Sequence, residues 1–568
     1  MSKNTRRPKP VVIDVDMKVV GEVLERARAA LSSDDHACLA ALVTTFIDIS
    51  KLVRERGTTI ARLRRLFGLA TSEKTADVFG GTASSSGGDA NDASVDDGGA
   101  DADAAVVNGG DHDHEAKPER RARKGHGRIG VSQYLNAHRI TVEHPHLEAG
   151  NVCPDCAHGK LHPLAEPARI LRIVGQPPLA AVEWDCERLR CGGCGTVFTA
   201  LAPEQARGPK YDASAVSMMA LLRYGAGMPL YRLDRLQKNL DTPVPASSQW
   251  EAVRDHVSAV APAYDELRRV AAQGRVIHND DTSVRILEFM GKRRAELVEQ
   301  NELPGPERTG LFTTGVISIT DVGPVALFFS GRKHAGENLD ALLVERDDAL
   351  CPPIQMGDGL DRNVPSEHDV VESNCLVHGR RHIVDEVENF PVECRHVLEA
   401  LRKVFKNEST CIEEKLSAQA RLELHQRESG PVMTDLETWL KTELDDKRVE
   451  QNSALGNAFR YLLKRWSKLT LFLRVPNAPI ENNICERALK MAIRHRKNSL
   501  FYRSQRGAKV ADIFMALIYT AELHDENPFE YLVALLEHDA DVAANPTQWL
   551  PWTFRATLAR LASLAVAA

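Results

Sequence analysis

The sequence predicts a multidomain protein of mixed α/β class, and three observations carry that expectation. The chain has 568 residues, too many for one hydrophobic core, so about two to four domains are expected. Its middle is rich in strand signals. RVIHNDDTSVRIL (Arg275–Leu287), GLFTTGVISIT (Gly310–Thr320), PVALFFS (Pro324–Ser330) and PIQMGD (Pro353–Asp358) are short apolar runs bounded by turn residues. Long helical stretches flank that middle, and two close cysteine pairs precede it.

Composition narrows the class. A hydrophobic fraction of 43% and a charged fraction of 27% are those of a globular chain. No run of about eighteen apolar residues suggests a membrane span, and MSKNTRRPKPVVIDVDMKVV lacks the apolar stretch of a secretory signal. A cytoplasmic protein with reduced thiols is expected. Net charge is −7, but it is segregated. Residues Gly81 to Glu115 hold eight aspartates and no lysine or arginine, whereas Glu119–Arg128 and Arg487–Lys509 are strongly basic. Local charge, not the total, sets affinity for nucleic acid.

The first element is a long helix from about Ala37 to Ser72. Leu39, Leu42, Phe46, Ile49, Val53, Ile60, Leu63 and Phe67 recur at alternating steps of three and four, as in a coiled-coil seam. A dimerising zipper and a helix packed on its own chain fit equally. The Gly/Ser/Asp-rich stretch that follows lacks the apolar groups needed to order a chain, and reads as an acidic linker. Between the cysteine pairs, ILRIV and LAAVEW read as short strands. Ala213 to Asn239 reads as helix with a turn at Gly225–Gly227, and Ser247 to Val270 as helix capped by Ser247-Ser248. After the strands, Val370 to about Leu473 is mostly helical, and a last helical stretch runs from about Asn482 to Leu536.

Cys153, Cys156, Cys191 and Cys194, in CPDC and CGGC, have the spacing of two knuckles that hold one tetrahedral Zn²⁺. His158, His162 and Cys186 are possible substitutes. Four thiolates leave no open coordination position, so a structural zinc is expected. A redox-active CxxC is the weaker alternative, since neither pair opens a helix after a strand.

The carboxylates are more open. HNDDTS places Asp280 and Asp281 at the end of the apolar strand RVIH, QMGDG places Asp358 at the end of another, and Glu486 starts a helix. Phosphodiester cutting needs hard oxygen ligands that hold two Mg²⁺ about 4 Å apart, and such a set could serve. Each also has a plainer reading. Asp280 or Asp281 could cap a turn, Asp358 could form one beside Gly359, and Glu486 could pair with Lys490 one helical turn on.

Together the motifs resemble transposases of the insertion-sequence-66 family. The resemblance rests on ARLRRLFGLATSEK, the two CxxC pairs, MPLYRLDRLQKNL with SSQWEAV, HNDDTSVRIL, IQMGDGLDRN, CLVHGRRHIVD, PIENNICERALKMAIRHRKNSLFYRS and WLPW, in that order. It implies a ribonuclease-H-like catalytic core with a helical insertion, a zinc-ribbon-like module and an N-terminal coiled-coil-like helix. The implied layout is a leucine-rich segment over 1–78, the acidic linker over 79–125 and the zinc module over 126–206. A helical DNA-binding segment over 207–272 follows. The catalytic domain then covers 273–535, with its insertion at about 370–473, before a C-terminal segment over 536–568.

The resemblance assigns metal-binding and catalytic roles to Asp280, Asp358 and Glu486, with Mg²⁺ or Mn²⁺ as cofactor. Four departures stand out: Asp281 where Glu is usual, Glu481 where Asp is usual before Asn482-Asn483 (a second candidate for the carboxylate given to Glu486), Ser283 in place of proline, and an unusually long acidic linker. Arg380 and Arg381, near His378, read either as phosphate contacts or as a solvated basic face. Arg487, Lys490, Arg494, Arg496 and Lys497 are expected on DNA, while Cys375 reads as a small buried hydrophobe. The implied partners are double-stranded DNA (element ends and target), a second copy of the chain, and small accessory proteins of the same element. The implied location is the bacterial nucleoid. The alternatives are a zinc-containing DNA-binding protein with a degenerate catalytic core, or a structural RNA nuclease of related fold.

Overall fold

The computed structural model describes most of residues 144–195, all of 196–300 and 308–567, residue 141 and a few positions between 23 and 40. The expected leucine-rich helix lies almost wholly outside the described residues, and the acidic linker wholly so. Along the chain come β1 (Arg188–Arg190), β2 (Val197–Thr199) and α1 (Ala213–Ala220), which runs on into a π-helical turn, Leu221–Gly225. Next are α2 (Leu230–Asn239), α3 (Ala246–Asp255), α4 (Val257–Ala272), β3 (Val276–Ser283) and α5 (Gly291–Glu299). They are followed by β4 (Phe312–Thr320), β5 (Gly323–Gly331), α6 (Ala335–Leu343), β6 (Ile354–Gly357) and β7 (Val371–Asn374). Helices α7 (Leu376–Val384), α8 (Pro391–Glu413), α9 (Ala418–Leu424), α10 (Gly430–Asp445) and α11 (Ala454–Lys464) come next. The chain ends through α12 (Asn483–Ser499), α13 (Gln505–Leu523), α14 (Pro528–Glu537) and α15 (Phe554–Ala567).

Two compact units divide these elements. The larger comprises Ala90–Gln355, Leu360–Val371 and Asn483–Ala568; the smaller comprises Met1–Asp89, Met356–Gly359 and Glu372–Asn482. A five-stranded mixed sheet has the order β5-β4-β3-β6-β7. Strands β3 and β4 are antiparallel with Asp280 opposite Gly315, and β4 and β5 are antiparallel with Gly315 opposite Phe328.

In the larger unit both faces of β4 are covered, which is why GVISI is apolar without alternation. On one face Ser318 Oγ donates to Ala271 O of α4 at 2.6 Å, and Asn338 Nδ2 of α6 donates to Thr314 Oγ1 at 2.8 Å. The neighbouring strand β5 is covered by α13. Ala326 N–H donates to Thr520 Oγ1 at 3.1 Å, and Asp512 accepts from Ser330 N–H and Oγ, both at 2.7 Å. Asp512 is buried, and burial pushes its carboxyl up to about 7. The core of the smaller unit is helical, with Leu398, Leu401, Leu436, Leu440, Leu455 and Phe459 buried. Trp439 stacks on His396 there at 4.2 Å.

Several expectations need correction. LAAVEW carries no strand; Leu179 is buried, but its backbone groups are met by the side chain of Gln237, at 3.4 Å and 2.8 Å, not by a neighbouring strand. The strands here are β1 and β2, which flank the second cysteine pair. Ser247 and Ser248 lie inside α3, whose cap position is Pro245, and the helix read as continuous breaks at His256. The region after Val370 opens with β7, whose VESN sequence has no apolar alternation to reveal it. Asp280 and Asp281 do not end their strand, because β3 continues to Ser283. Among the described residues no helix is long and apolar enough to cross a membrane.

Candidate active site

The Asp280–Asp281 doublet is split by the strand that carries it. Successive side chains of β3 leave opposite faces of the sheet, and the two carboxylates have different surroundings. Asp281 accepts from Thr314 Oγ1 at 2.6 Å and from Ala335 N–H at 3.1 Å, with His334 Nδ1 at 3.4 Å. Its side chain is only 3% exposed. It therefore sits on the positive end of α6, where a free N–H and the helix dipole favour a carboxylate. Glu337 completes that helix start by accepting from His334 N–H at 2.9 Å.

Asp280 shares its face with Gly315, its partner across the ladder. A Cβ on Gly315 would lie 2.9 Å from side-chain atoms of Leu489 and 3.5 Å from Cys485 Sγ. Cys485 Sγ donates to Gly315 O at 3.3 Å. The first turn of α12 thus rests directly on the Asp280–Gly315 rung, and only a residue without a side chain permits that approach. Burial pushes the Cys485 thiol well up, and the nearby carboxylates of Asp280, Glu486 and Asp281 push it further. Cys485, next to Glu486 in α12, thus packs on the rung that carries Asp280, within the larger unit. Glu481 lies before α12, in the smaller unit.

The far end of α12 is fastened to the same strand. Arg496 Nη1 donates to Thr282 Oγ1 at 3.0 Å, Ser283 O at 2.7 Å and Ser283 Oγ at 2.6 Å. Its guanidinium is thus engaged by β3, a use its basic neighbourhood did not suggest. Arg487, Lys490, Arg494 and Lys497 are exposed and recur at steps of three and four, so they share one helix face. On the opposite side His495 is buried and stacks on Tyr502 at 4.0 Å. Arg223, from the π-helical turn, reaches His495 Nε2 at 2.8 Å and also donates to Ser499 Oγ. Burial, and then Arg223, push His495 down to about 3, so this imidazole is neutral.

In the smaller unit Asp358 follows β6 on a turn made possible by Gly359 at φ +83°. A Cβ there would come 2.5 Å from Asn374 Nδ2 and 2.7 Å from Arg465 Nε. The turn is clamped from α11: Tyr461 Oη donates to Asp358 O at 2.8 Å, and Arg465 donates to Gly359 O at 3.2 Å and 3.0 Å. The Arg465 guanidinium lies 4.2 Å from the centre of the Tyr461 ring, and His382 packs on that ring at 4.2 Å. Arg380 is 6% exposed and Arg381 is exposed. Cys375 is buried, and its sulfur accepts from Asn482 N–H at 3.3 Å. Sequence reading missed Tyr461, Arg465 and Gly315. The Tyr461/Arg465 spacing of one helical turn was visible, but not what the pair would hold.

Each cysteine pair forms its own knuckle. Cys153 N–H donates to Gly159 O at 2.8 Å, and Gly159 N–H points at Cys156 Sγ at 3.4 Å. Cys191 N–H donates to Thr196 O at 2.9 Å, and Thr196 Oγ1 lies 3.1 Å from Cys194 Sγ. Hydrogen bonds from the His158 and Gly159 backbone lower the Cys156 thiol, and those from Thr196 bring Cys194 down to about 7. Both effects favour the thiolates a metal needs. Among the described residues the four sulfurs stand as two pairs, not as one cluster.

The group of three metal-type donors that does converge is Glu408, Cys411 and His425, with ligand atoms within 4.8 Å of one another. Its donor chemistry would suit zinc, but Glu408 is already held by Arg421 at 2.8 Å and 3.0 Å and by His425 Nε2 at 2.8 Å. Arg421 also donates to Ala478 O at 2.9 Å. The guanidinium stands where a cation would, and the group reads as a satisfied buried network.

The profile described as "Transposase IS66 family" matches residues 209–298 and 324–510. Relatives include the uncharacterized protein y4hP of Sinorhizobium fredii, 24% identical over 453 residues, which cover 76% of this chain and 77% of the relative. The uncharacterized protein y4jD of the same organism is 31% identical over 186 residues, 32% of this chain and 36% of the relative. A third, y4qI, is 33% identical over 141 residues, 24% of this chain and 26% of the relative. The matched spans contain Asp280, Asp358 and Glu486, while β4, with Thr314 and Gly315, lies between the two spans. The chain belongs to the IS66 family of transposases.

Proposed function

We propose that the chain is a DNA transposase that cleaves the ends of a mobile element and joins them to target DNA through the carboxylates of Asp280, Asp358 and Glu486. The observation that supports this reading is the seating of α12, the helix that carries Glu486, on the Asp280–Gly315 rung through Cys485 and Leu489. Divalent Mg²⁺ or Mn²⁺, when bound, supplies a polarised water and charge compensation on the phosphate. The chain's own part is to hold hard oxygen donors in place on β3, β6 and α12, and to keep Asp281 occupied elsewhere. The exposed Arg487, Lys490, Arg494 and Lys497 face offers the backbone contacts that position a duplex.

The same reading gives a ribonuclease-H-like role to the sheet, with residues of the smaller unit as its insertion. Cys153, Cys156, Cys191 and Cys194 would hold a structural zinc, supported by their thiolate-favouring knuckles. Joining two DNA ends calls for a dimer or larger assembly, and accessory proteins of the element fit as partners. Strand cleavage of element-end duplexes with Mg²⁺ or Mn²⁺ tests the proposal. Wild type should cut, whereas Asp280→Ala, Asp358→Ala and Glu486→Ala should bind without cutting. Wild-type binding without metal-dependent cleavage would favour a degenerate DNA-binding protein instead.

A further inference from the structure

Beyond Asp280, the end of β3 opens into a cleft of about 530 Å³ that the reading above leaves unused. Its walls are mixed: Met290, Leu311, Phe312 and Leu500 are apolar, while two guanidiniums, Arg285 and Arg496, stand on it. Among the described residues no acidic side chain lines it. Arg285 is exposed and makes no side-chain bond among the described residues. Lys292, Arg293, Lys497 and Arg503, all exposed, lie on the adjoining segments. A slot with apolar side chains and guanidiniums on its walls fits a ligand that is planar and apolar on one side and anionic on the other. A nucleotide has that chemistry, its base stacking on apolar or guanidinium surfaces while its phosphate meets the cations.

A second, independent feature lies at the rim. Leu500 has φ +69° and is 58% exposed, and Phe501 beside it is 42% exposed. A bulky side chain in the left-handed region is disfavoured and persists only where its surroundings impose it. Here Tyr502 N–H donates to Arg285 O at 2.8 Å, Leu287 N–H donates to Tyr502 O at 2.9 Å, and the Tyr502 ring is stacked on His495. An exposed apolar tip is thus mounted on a rigid base next to an open slot. Ser283, at the mouth of the cleft, is three residues from Asp280, about 10 Å along an extended strand. That is the reach of a neighbouring nucleotide.

We propose that this cleft receives one base extruded from the DNA strand that meets Asp280 and Glu486, with Leu500 as the wedge that fills the vacated place in the stack. The inference rests on the transposase reading. The test uses duplexes with the terminal sequence of the encoding element, carrying 2-aminopurine at each position near the cleaved phosphate. Ca²⁺ replaces Mg²⁺ to permit binding without cutting. Wild type should raise the fluorescence at one position severalfold. Leu500→Asn, which tolerates the same backbone angle, should lose most of that rise and slow Mg²⁺-dependent cleavage by about tenfold. An abasic nucleotide at that position, which needs no unstacking, should restore cleavage by the variant. If wild type cuts the duplex while no position brightens, or if Leu500→Asn brightens and cuts like wild type, the inference is overturned alone. If wild type neither binds nor cuts, the transposase reading falls and this inference with it.

Discussion

Asp280 and Asp358 are mounted in opposite ways. Asp280 stands inside a strand whose ladder fixes its direction, and a helix is admitted beside it because Gly315 has no side chain. Asp358 stands on a turn, and its backbone is gripped from outside by Tyr461 and Arg465. The first mount is made by subtraction, the second by added hydrogen bonds. They should fail differently: filling the space at Gly315 displaces a whole helix, whereas removing a clamp loosens one turn.

The largest effect is therefore expected at Gly315. Gly315→Val puts atoms within the Leu489 and Cys485 contacts, and should cost about 1–3 kcal/mol through overpacking. Because α12 carries Glu486, cleavage should also fall by roughly a hundredfold in molecules that remain folded. Circular dichroism melts beside cleavage rates separate the two losses. Cleavage at the wild-type rate in a folded Gly315→Val would show that the approach of α12 is not what seats Glu486.

At the other mount the expected loss is smaller. Tyr461→Phe removes one hydrogen bond to Asp358 O, worth about 0.5–1.5 kcal/mol. Arg465→Ala removes two to Gly359 O and leaves Gly359 less restrained. Each should raise the Mg²⁺ concentration needed for half-maximal cleavage, by up to about tenfold for a change of 1.4 kcal/mol. Melting temperature should move little. A large drop in stability with unchanged metal dependence would make the clamp a general packing feature.

The contrast also explains how much the sequence disclosed. β3, β4 and β5 were legible because apolar runs bounded by turns are a local signal, and Asp280 could be placed on its strand from HNDDTS alone. β7 was hidden because VESN has no apolar pattern, and its place in the sheet depends on long-range pairing. The different surroundings of Asp280 and Asp281 were closed to sequence reading, since those of Asp281 depend on Thr314 and Ala335, 33 and 54 residues away. Tyr461 lies 103 residues from the carbonyl it grips. The cysteine pairs announced their knuckles through spacing, but not whether the knuckles meet.

A separate effect, one of pH on stability alone, is expected at Asp512, which accepts from Ser330 of β5. Its carboxyl is raised to about 7 by burial, against an ordinary value near 4 when unfolded. The folded state therefore holds a proton that the unfolded state has released. Its stabilising effect is complete below about pH 4 and is lost as pH rises through about 7. Asp512→Asn should flatten this slope, so that the variant gains on wild type between pH 5 and 8 in denaturant titrations. Parallel curves across that window would mean that Asp512 is ionised throughout.

The central claim is that the two faces of β3 divide the doublet into one metal-binding carboxylate and one helix-capping carboxylate. It is tested most directly by comparing Asp280→Asn and Asp281→Ala in one cleavage and melting experiment on the full chain. The account predicts that Asp280→Asn abolishes Mg²⁺-dependent cleavage with an unchanged melt. Asp281→Ala should lose about 1–3 kcal/mol of stability, as expected when buried donors lose their acceptor, while the folded fraction still cuts. Loss of cleavage in a stably folded Asp281→Ala, with activity retained in Asp280→Asn, would contradict it.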